Sequence, residues 1–268
     1  HTVAQLSVAS GGMHQLGGQY GVGVAHMVEH LLFEKPEGDI AQRFAEMGAD
    51  INASTGLEST EYVLTCGEGV ERHIKLFFEL VFDGRWTESS LEGERAIIAS
   101  EISLYSDDPD WVGYYGSLSC AYGNHPVAWE IAGDFSLLET IDMGLLKSWH
   151  QTFYRPSNAT LFVSGDFDAR SLQEACETAL VECVSSNSYF RGVDLGFLSE
   201  WPPCDQTQSG SVRIELPIRN TKIFITFPDF LPAMQKRDVK RELAFELSLD
   251  MALGLTSDAY VDLYEEGL

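Results

Sequence analysis

No stretch of the chain approaches the roughly eighteen uninterrupted apolar residues that mark a transmembrane helix, so no helical membrane span is expected. Cysteine is sparse and scattered: Cys66, Cys120, Cys176, Cys183 and Cys204 never form a C-x-x-C pair. That argues against a cysteine zinc site and against a disulfide framework, and favours a reducing compartment, the cytoplasm or an organelle matrix. Basic residues are few, 17 against 41 acids, leaving a formal charge of −24. Nucleic acid and anionic membrane are therefore poor partners. The acid excess either solvates the surface or steers basic peptides toward a cleft. The glycine-rich run Gly11-Gly12 through Gly17-Gly18 contains neither Gly-Lys-Ser/Thr nor G-x-G-x-x-G, which removes a phosphate-binding reading. The N-terminus lacks a basic region and a cleavage site before its strand-like residues. It opens without Met and the chain stops abruptly at Glu265-Glu266-Gly267-Leu268, so a fragment or a processed chain is expected.

What is present fits an ordinary globular α/β protein: 268 residues, 44% of them apolar, suffice for one large or two medium domains. Residues 1–8 read as a strand. Asp39 to Met47 read as a short helix stopped by Gly48. Ala49 to Gly56 and Thr60 to Cys66 have the composition of a hairpin. From Val70 to Phe82 the apolar positions repeat at helical spacing, with His73 on the polar side as a solvent or capping residue. Thr87 is an N-cap for a long helix running through Tyr105. Trp111 to Ala121 form an aromatic segment expected to pack beside that helix. Phe135 to Phe153 read as one helix with His150 exposed, Ser157 to Gly165 as a buried strand, and Asp168 to about Val184 as a helix. Phe190 to Gln208 read as a linker.

The chemistry gathers at His26-Met27-Val28-Glu29-His30. Residues four apart on a helix share a face, so His26 and His30 can aim two imidazoles at one point with Glu29 beside them. That is half of a metal site. A catalytic metal needs a third protein ligand and an open position for water, and an adjacent carboxylate suits the water's proton. His-x-x-Glu-His inverts the commoner zinc-protease order and is the inverzincin pattern. The alternative is a surface helix that merely carries two histidines and an acid. Glu94 and Glu101, seven residues apart, share a face of the Thr87 helix, and Glu101 lies among Ile97, Ile98, Ile102 and Leu104. A partly buried carboxylate needs a partner, and a metal is a good one. The set is then His26, His30 and Glu101 as metal ligands, Glu29 as base, and Glu94 as an acid supporting the ligands from behind.

At these residues the chain resembles the pitrilysin or insulinase family of zinc metallopeptidases, the inverzincins that include mitochondrial processing peptidase. The likeness runs through Gly48-Ala49-x-x-Asn52-Ala53-x-Thr55, Thr60-x-Tyr62, Glu94-Arg95 and Asn124-His125-Pro126. It continues in Ile131-Ala132-Gly133, Tyr154-Arg155-Pro156-Ser157-Asn158 and Leu161 to Asp166, and so covers about Val3 to Asp168. His30-Leu31-Leu32-Phe33-Glu34 with Ser106 to Asp110 resembles a bacterial cytosolic branch.

The resemblance implies Zn2+ on His26, His30 and Glu101, proton transfer by Glu29, and an outer acid at Glu94. It also implies an edge strand at Asn52, Ala53, Ser54 and Thr55 that pairs with the substrate backbone. Ser54 departs from the aromatic that the family usually carries. Family members enclose substrate between two halves, each of two similar α/β domains, and the far half supplies an Arg and a Tyr near the reacting carbonyl. That half is absent here, so a second half or a homologous subunit is implied. Ser211 to Leu216, Lys222 to Phe227 and a helix from Arg237 to Leu253 resemble the opening of a second domain.

The expected architecture is a mixed β-sheet packed with helices in a zinc-binding domain at 1–200, followed by an incomplete domain of the same type at 201–268. The expected activity is zinc-dependent hydrolysis of peptide bonds in short or unfolded polypeptides. A non-catalytic structural or peptide-binding subunit of the same fold, or a zinc hydrolase acting on other substrates, stands as the alternative.

Overall fold

In the computed structural model the described residues are 1–14, 21–186, 210–228 and 239–267. Four strands form the main sheet: β1 (Thr2–Val8), β4 (Ala49–Thr55), β5 (Thr60–Cys66) and β6 (Ala159–Ser164), in the order β4-β5-β1-β6. Period-two alternation turns Ala4, Leu6, Val8, Ile51, Tyr62 and Leu64 onto one buried face. The layered α/β architecture is the expected one, but among the described residues every pairing in the sheet is antiparallel rather than mixed. The reason is local: β4 and β5 are joined by a tight turn, and β1 and β6 run opposite ways side by side. A two-residue ribbon, β2 (Glu34–Lys35) with β3 (Gly38–Asp39), stands apart.

Helices cover the buried face. The central one is α1 (Val24–Phe33), in which Val24, Ala25, Met27, Val28, Leu31 and Leu32 are fully buried. It starts at Gly23, where φ is 92° and an added Cβ would lie 2.8 Å from the Ala132 carbonyl oxygen. Only glycine meets both demands. Around α1 lie α2 (Ile40–Glu46), α3 (Ile74–Phe82), α4 (Glu88–Asp107), α5 (Pro109–Tyr122), α6 (Phe135–Leu138), α7 (Met143–Phe153) and α8 (Ala169–Ser186). Thr87 caps α4 as expected, in a reciprocal box with Ser90.

Several expectations change in the structure. Residues 135–153 divide into α6 and α7, because Asp134 and Asp142 each accept backbone N–H bonds as N-caps and Ile141 between them is buried. His150 is buried: its Nε2 bonds the Val81 carbonyl at 3.1 Å, and its ring stacks on Tyr154. With Lys35 Nζ on the Leu80 carbonyl at 3.0 Å, it satisfies the end of α3, whose last carbonyls have no partner within the helix. His73 is also buried, bonded to the Gly69 and Met47 carbonyls. The strand β6 is a sheet edge whose outward residues, Phe162 among them, are exposed. The expected linker at 190–208 lies outside the described residues.

Beyond it, the expected second-domain helix appears as α9 (Val239–Leu253), followed by α10 (Asp258–Glu265). Residues 211–216 and 222–227, expected to open the second domain, have no sheet pairing among the described residues and run against α5. There Phe224 and Ile214 sit over Gly113 and Gly116, and Lys222 pairs with Asp110.

Burial lowers the pKa of His14 and of His150 from 6.5 to about 4. A folded pKa depressed in this way gives stability that is complete above pH 6.5 and is lost as pH falls through about 4, at about 1.4 kcal/mol per pH unit for each group. The urea midpoint should therefore fall on acidification from pH 7 to 4, and His150→Gln should make that fall shallower. Parallel slopes in the two proteins would contradict this account.

Candidate metal centre

The site is made where α1 crosses α4. Helical spacing places His26 and His30 on the same side of α1, with their Nε2 atoms 3.3 Å apart. From α4, Glu101 Oε2 lies 3.8 Å from His26 Nε2 and 3.6 Å from His30 Nε2. A point equidistant from the three atoms is about 2.1 Å from each, the distance at which a zinc-sized cation takes imidazole nitrogen and carboxylate oxygen. The chemistry fits as well as the geometry. Burial, then the neighbouring His30, lowers the His26 pKa to about 3, so this ring stays neutral and keeps one nitrogen lone pair free to bind a cation. Three carboxylates, Glu29, Glu94 and Glu101, act on His30, and a divalent cation would offset their charge.

Glu94, buried on α4, accepts from His30 Nδ1 at 2.9 Å and so turns Nε2 of that ring toward the cluster. Burial disfavours charge on His30. The Glu94 bond and the charges of Glu29, Glu101 and Glu94 outweigh it, and its pKa is raised. The buried Nδ1 of His26 has no hydrogen-bond partner among the described residues. Packing, not a second bond, therefore orients that ring.

Glu29 lies on the same helix and is 8% exposed. Burial raises its pKa, against the opposing effect of hydrogen bonds from Thr55. The Thr55 hydroxyl donates to Glu29 Oε2 at 2.5 Å. The four residues expected along the peptide strand thus divide by strand alternation. Asn52 and Ser54 are exposed on the far face of β4, whereas Ala53 and Thr55 turn toward the helices and Thr55 meets Glu29. Sequence reasoning placed Thr55 on the substrate and missed this bond. The signal was available in the buried Ile51, which shares a strand face with Thr55. Beside Glu101, one turn along α4, Tyr105 stacks on Trp111 with ring centres 4.3 Å apart, and Trp111 Nε1 donates to Glu130.

The description of the insulinase family (peptidase family M16) matches residues 3–134, and that of the peptidase M16 inactive domain matches residues 140–250. The chain belongs to the insulinase family of peptidases. The second match straddles the boundary expected near residue 200 and accords with the opening of a further domain of the same type.

Among curated insulinase-family proteins, the chain is 33% identical over 246 residues to YmfH of Bacillus subtilis, named an uncharacterized zinc protease; the match covers 91% of this chain and 56% of that protein. It is 28% identical over 158 residues to the zinc protease PqqE of Helicobacter pylori, covering 57% of this chain and 36% of that one. The chain thus spans about half the length of the first relative, and less of the second. A crystal structure of an M16-like peptidase from Alicyclobacillus acidocaldarius superposes with a TM-score of 0.65 at 32% identity, over 68% of this chain and 44% of that one. Among the described residues no helix is long and apolar enough to cross a membrane.

Because Glu94 alone fixes the second nitrogen of His30, Glu94→Ala should weaken Zn2+ binding about 10- to 100-fold without unfolding the protein. Competition with a chromophoric chelator measures it. An unchanged affinity would show that the Glu94 bond does not support the cluster.

Proposed function

We propose that the protein is a zinc-dependent metalloendopeptidase that hydrolyses peptide bonds in short or unfolded polypeptides. One observation carries the reading: two imidazoles and a carboxylate converge at cation distance with a second, buried carboxylate alongside. His26, His30 and Glu101 hold Zn2+ in this reading. When bound, zinc acts as a Lewis acid that polarises the scissile carbonyl and brings the pKa of water from about 15.7 toward about 7. Glu29 takes the proton of the attacking water and returns it to the leaving amine. Its elevated pKa suits both halves of that transfer.

The peptide lies along β4, an open edge of the sheet, as an added strand. The Ala53 N–H, now bonded to the Asn52 side chain at 2.8 Å, is a donor that a substrate carbonyl can take over. Backbone pairing of this kind is tolerant of sequence, as an enzyme acting on unfolded chains requires. A second half or a homologous subunit closes the chamber over this face. The zinc-binding domain then spans 1–200 and the incomplete one 201–268. The free Cys66, Cys120, Cys176 and Cys183 support a reducing compartment, the cytoplasm or an organelle matrix.

In the full-length protein, Glu29→Gln should keep its zinc, read by elemental analysis, and lose turnover of a fluorogenic peptide, whereas Glu101→Ala should lose the metal itself. A Glu29→Gln protein without zinc would put Glu29 among the ligands and remove it as the base.

A further inference from the structure

The bond between Thr55 and Glu29 joins two parts of the molecule that the proposed reaction uses separately. Thr55 is the last residue of β4, the strand offered to the peptide, and Glu29 is the proton carrier on α1. The Thr55 hydroxyl donates to Glu29 Oε2 at 2.5 Å. A glutamate has three side-chain torsions and, once buried, a choice of carboxylate orientations. A donor fixed on one oxygen narrows that choice: the Thr55 hydroxyl ties Oε2 to the protein.

Thr55 is itself fixed. It pairs with Thr60 across the hairpin, and the Thr60 hydroxyl donates to the Ser10 carbonyl at 2.7 Å. The hairpin turn accepts from the preceding segment, Gly12 N–H on the Gly56 carbonyl and Met13 N–H on the Leu57 carbonyl. That approach needs Gly11, where an added Cβ would lie 2.5 Å from the Gly56 oxygen. The β-branched side chain of Thr55 adds stiffness about χ1. An unbroken series of bonds thus runs from the sheet to one oxygen of the carboxylate.

We propose that Thr55 is the positioning residue for Glu29: its hydroxyl holds the carboxylate in the orientation that proton transfer requires and ties that orientation to the peptide-bearing edge of the sheet. The inference rests on the base role proposed for Glu29 and adds to it a residue otherwise assigned to the substrate. Thr55 acts through Glu29, not on the peptide, so its loss affects turnover and not substrate affinity.

The test compares Thr55→Val, which keeps shape and loses the hydroxyl, with Thr55→Ser, which keeps the hydroxyl, in the full-length protein. Thr55→Val should lose kcat about 10- to 100-fold with KM and zinc content unchanged, and Thr55→Ser should return kcat to within about threefold. A wild-type kcat in Thr55→Val, a change confined to KM, failure of serine to rescue, or loss of zinc would each overturn the proposal. A readout independent of activity is the double-mutant cycle with Glu29→Ala followed by thermal unfolding, in which the two losses should be less than additive; strict additivity overturns the coupling. Glu29→Gln separates the two claims. If it still turns over, the base assignment fails and this inference with it; if it is inactive while Thr55→Val is normal, only the role of Thr55 fails.

Discussion

Two imidazole nitrogens 3.3 Å apart, each within 4 Å of the same carboxylate oxygen, form an arrangement suited to sharing one cation, and the rest of the site is built around it. Acids brought close repel one another, and Glu29 and Glu94 also lose hydration, so placing them with the partly exposed Glu101 around His30 costs stability. That cost has to be met by the packing of α1 against α4 and the sheet. This explains why α1 is the most deeply buried helix of the site: six of its residues have no exposed surface, while the two histidines keep one open side. The face that carries the two histidines is a narrow stripe on a core helix. A glycine at Gly23 lets the chain enter that helix under the Ala132 carbonyl.

The same helix was legible in the sequence because its chemistry is periodic. His26, Glu29 and His30 obey the three- and four-residue spacing that puts side chains on one face, and Glu94 and Glu101 obey it again on a second helix. The hairpin, the Thr87 cap and the opening strand were likewise readable, since each depends on neighbours within a few residues. The partial burial of Glu101 is read from Ile97, Ile98, Ile102 and Leu104; of these Ile98 and Ile102 are buried, whereas Ile97 and Leu104 are exposed. Local pattern therefore located the face of α4 without fixing its full extent.

Long-range satisfaction of polar groups was not legible. His150 and His73 look like surface residues in a sequence, and both are interior because a distant carbonyl needs a donor: Val81 in one case, Met47 in the other. Nothing within a few residues of either histidine specifies that partner. The division between α6 and α7 was missed for a different reason. The caps Asp134 and Asp142 were present in the sequence, but the apolar residues between them, Leu137, Leu138 and Ile141, continued a helical spacing that outweighed them. β6 was read as buried from its apolar composition, and sheet order decides otherwise: an edge strand with one covered face exposes alternate residues whatever their type.

An open edge on β4 presents a physical conflict. Unpaired backbone groups are what a peptide needs in order to bind, and they are also what makes sheets aggregate. The edge beside the candidate metal centre is protected at Ala53 in a way that leaves it usable. At Ala53 the outward N–H is occupied by the Asn52 side chain, a neighbour that an incoming carbonyl can displace at little cost because one acceptor replaces another. At Thr55, two residues on, the side chain is held by Glu29, and the strand ends just beyond it, where Gly56 N–H bonds the Ser59 carbonyl in the hairpin turn. In the proposed binding mode a peptide laid along β4 would run out at that turn, beside Glu29. Strand addition by itself fixes no register, since every residue offers the same backbone groups. The end of β4 beside Glu29 would give the proposed sequence-tolerant binding mode a defined register.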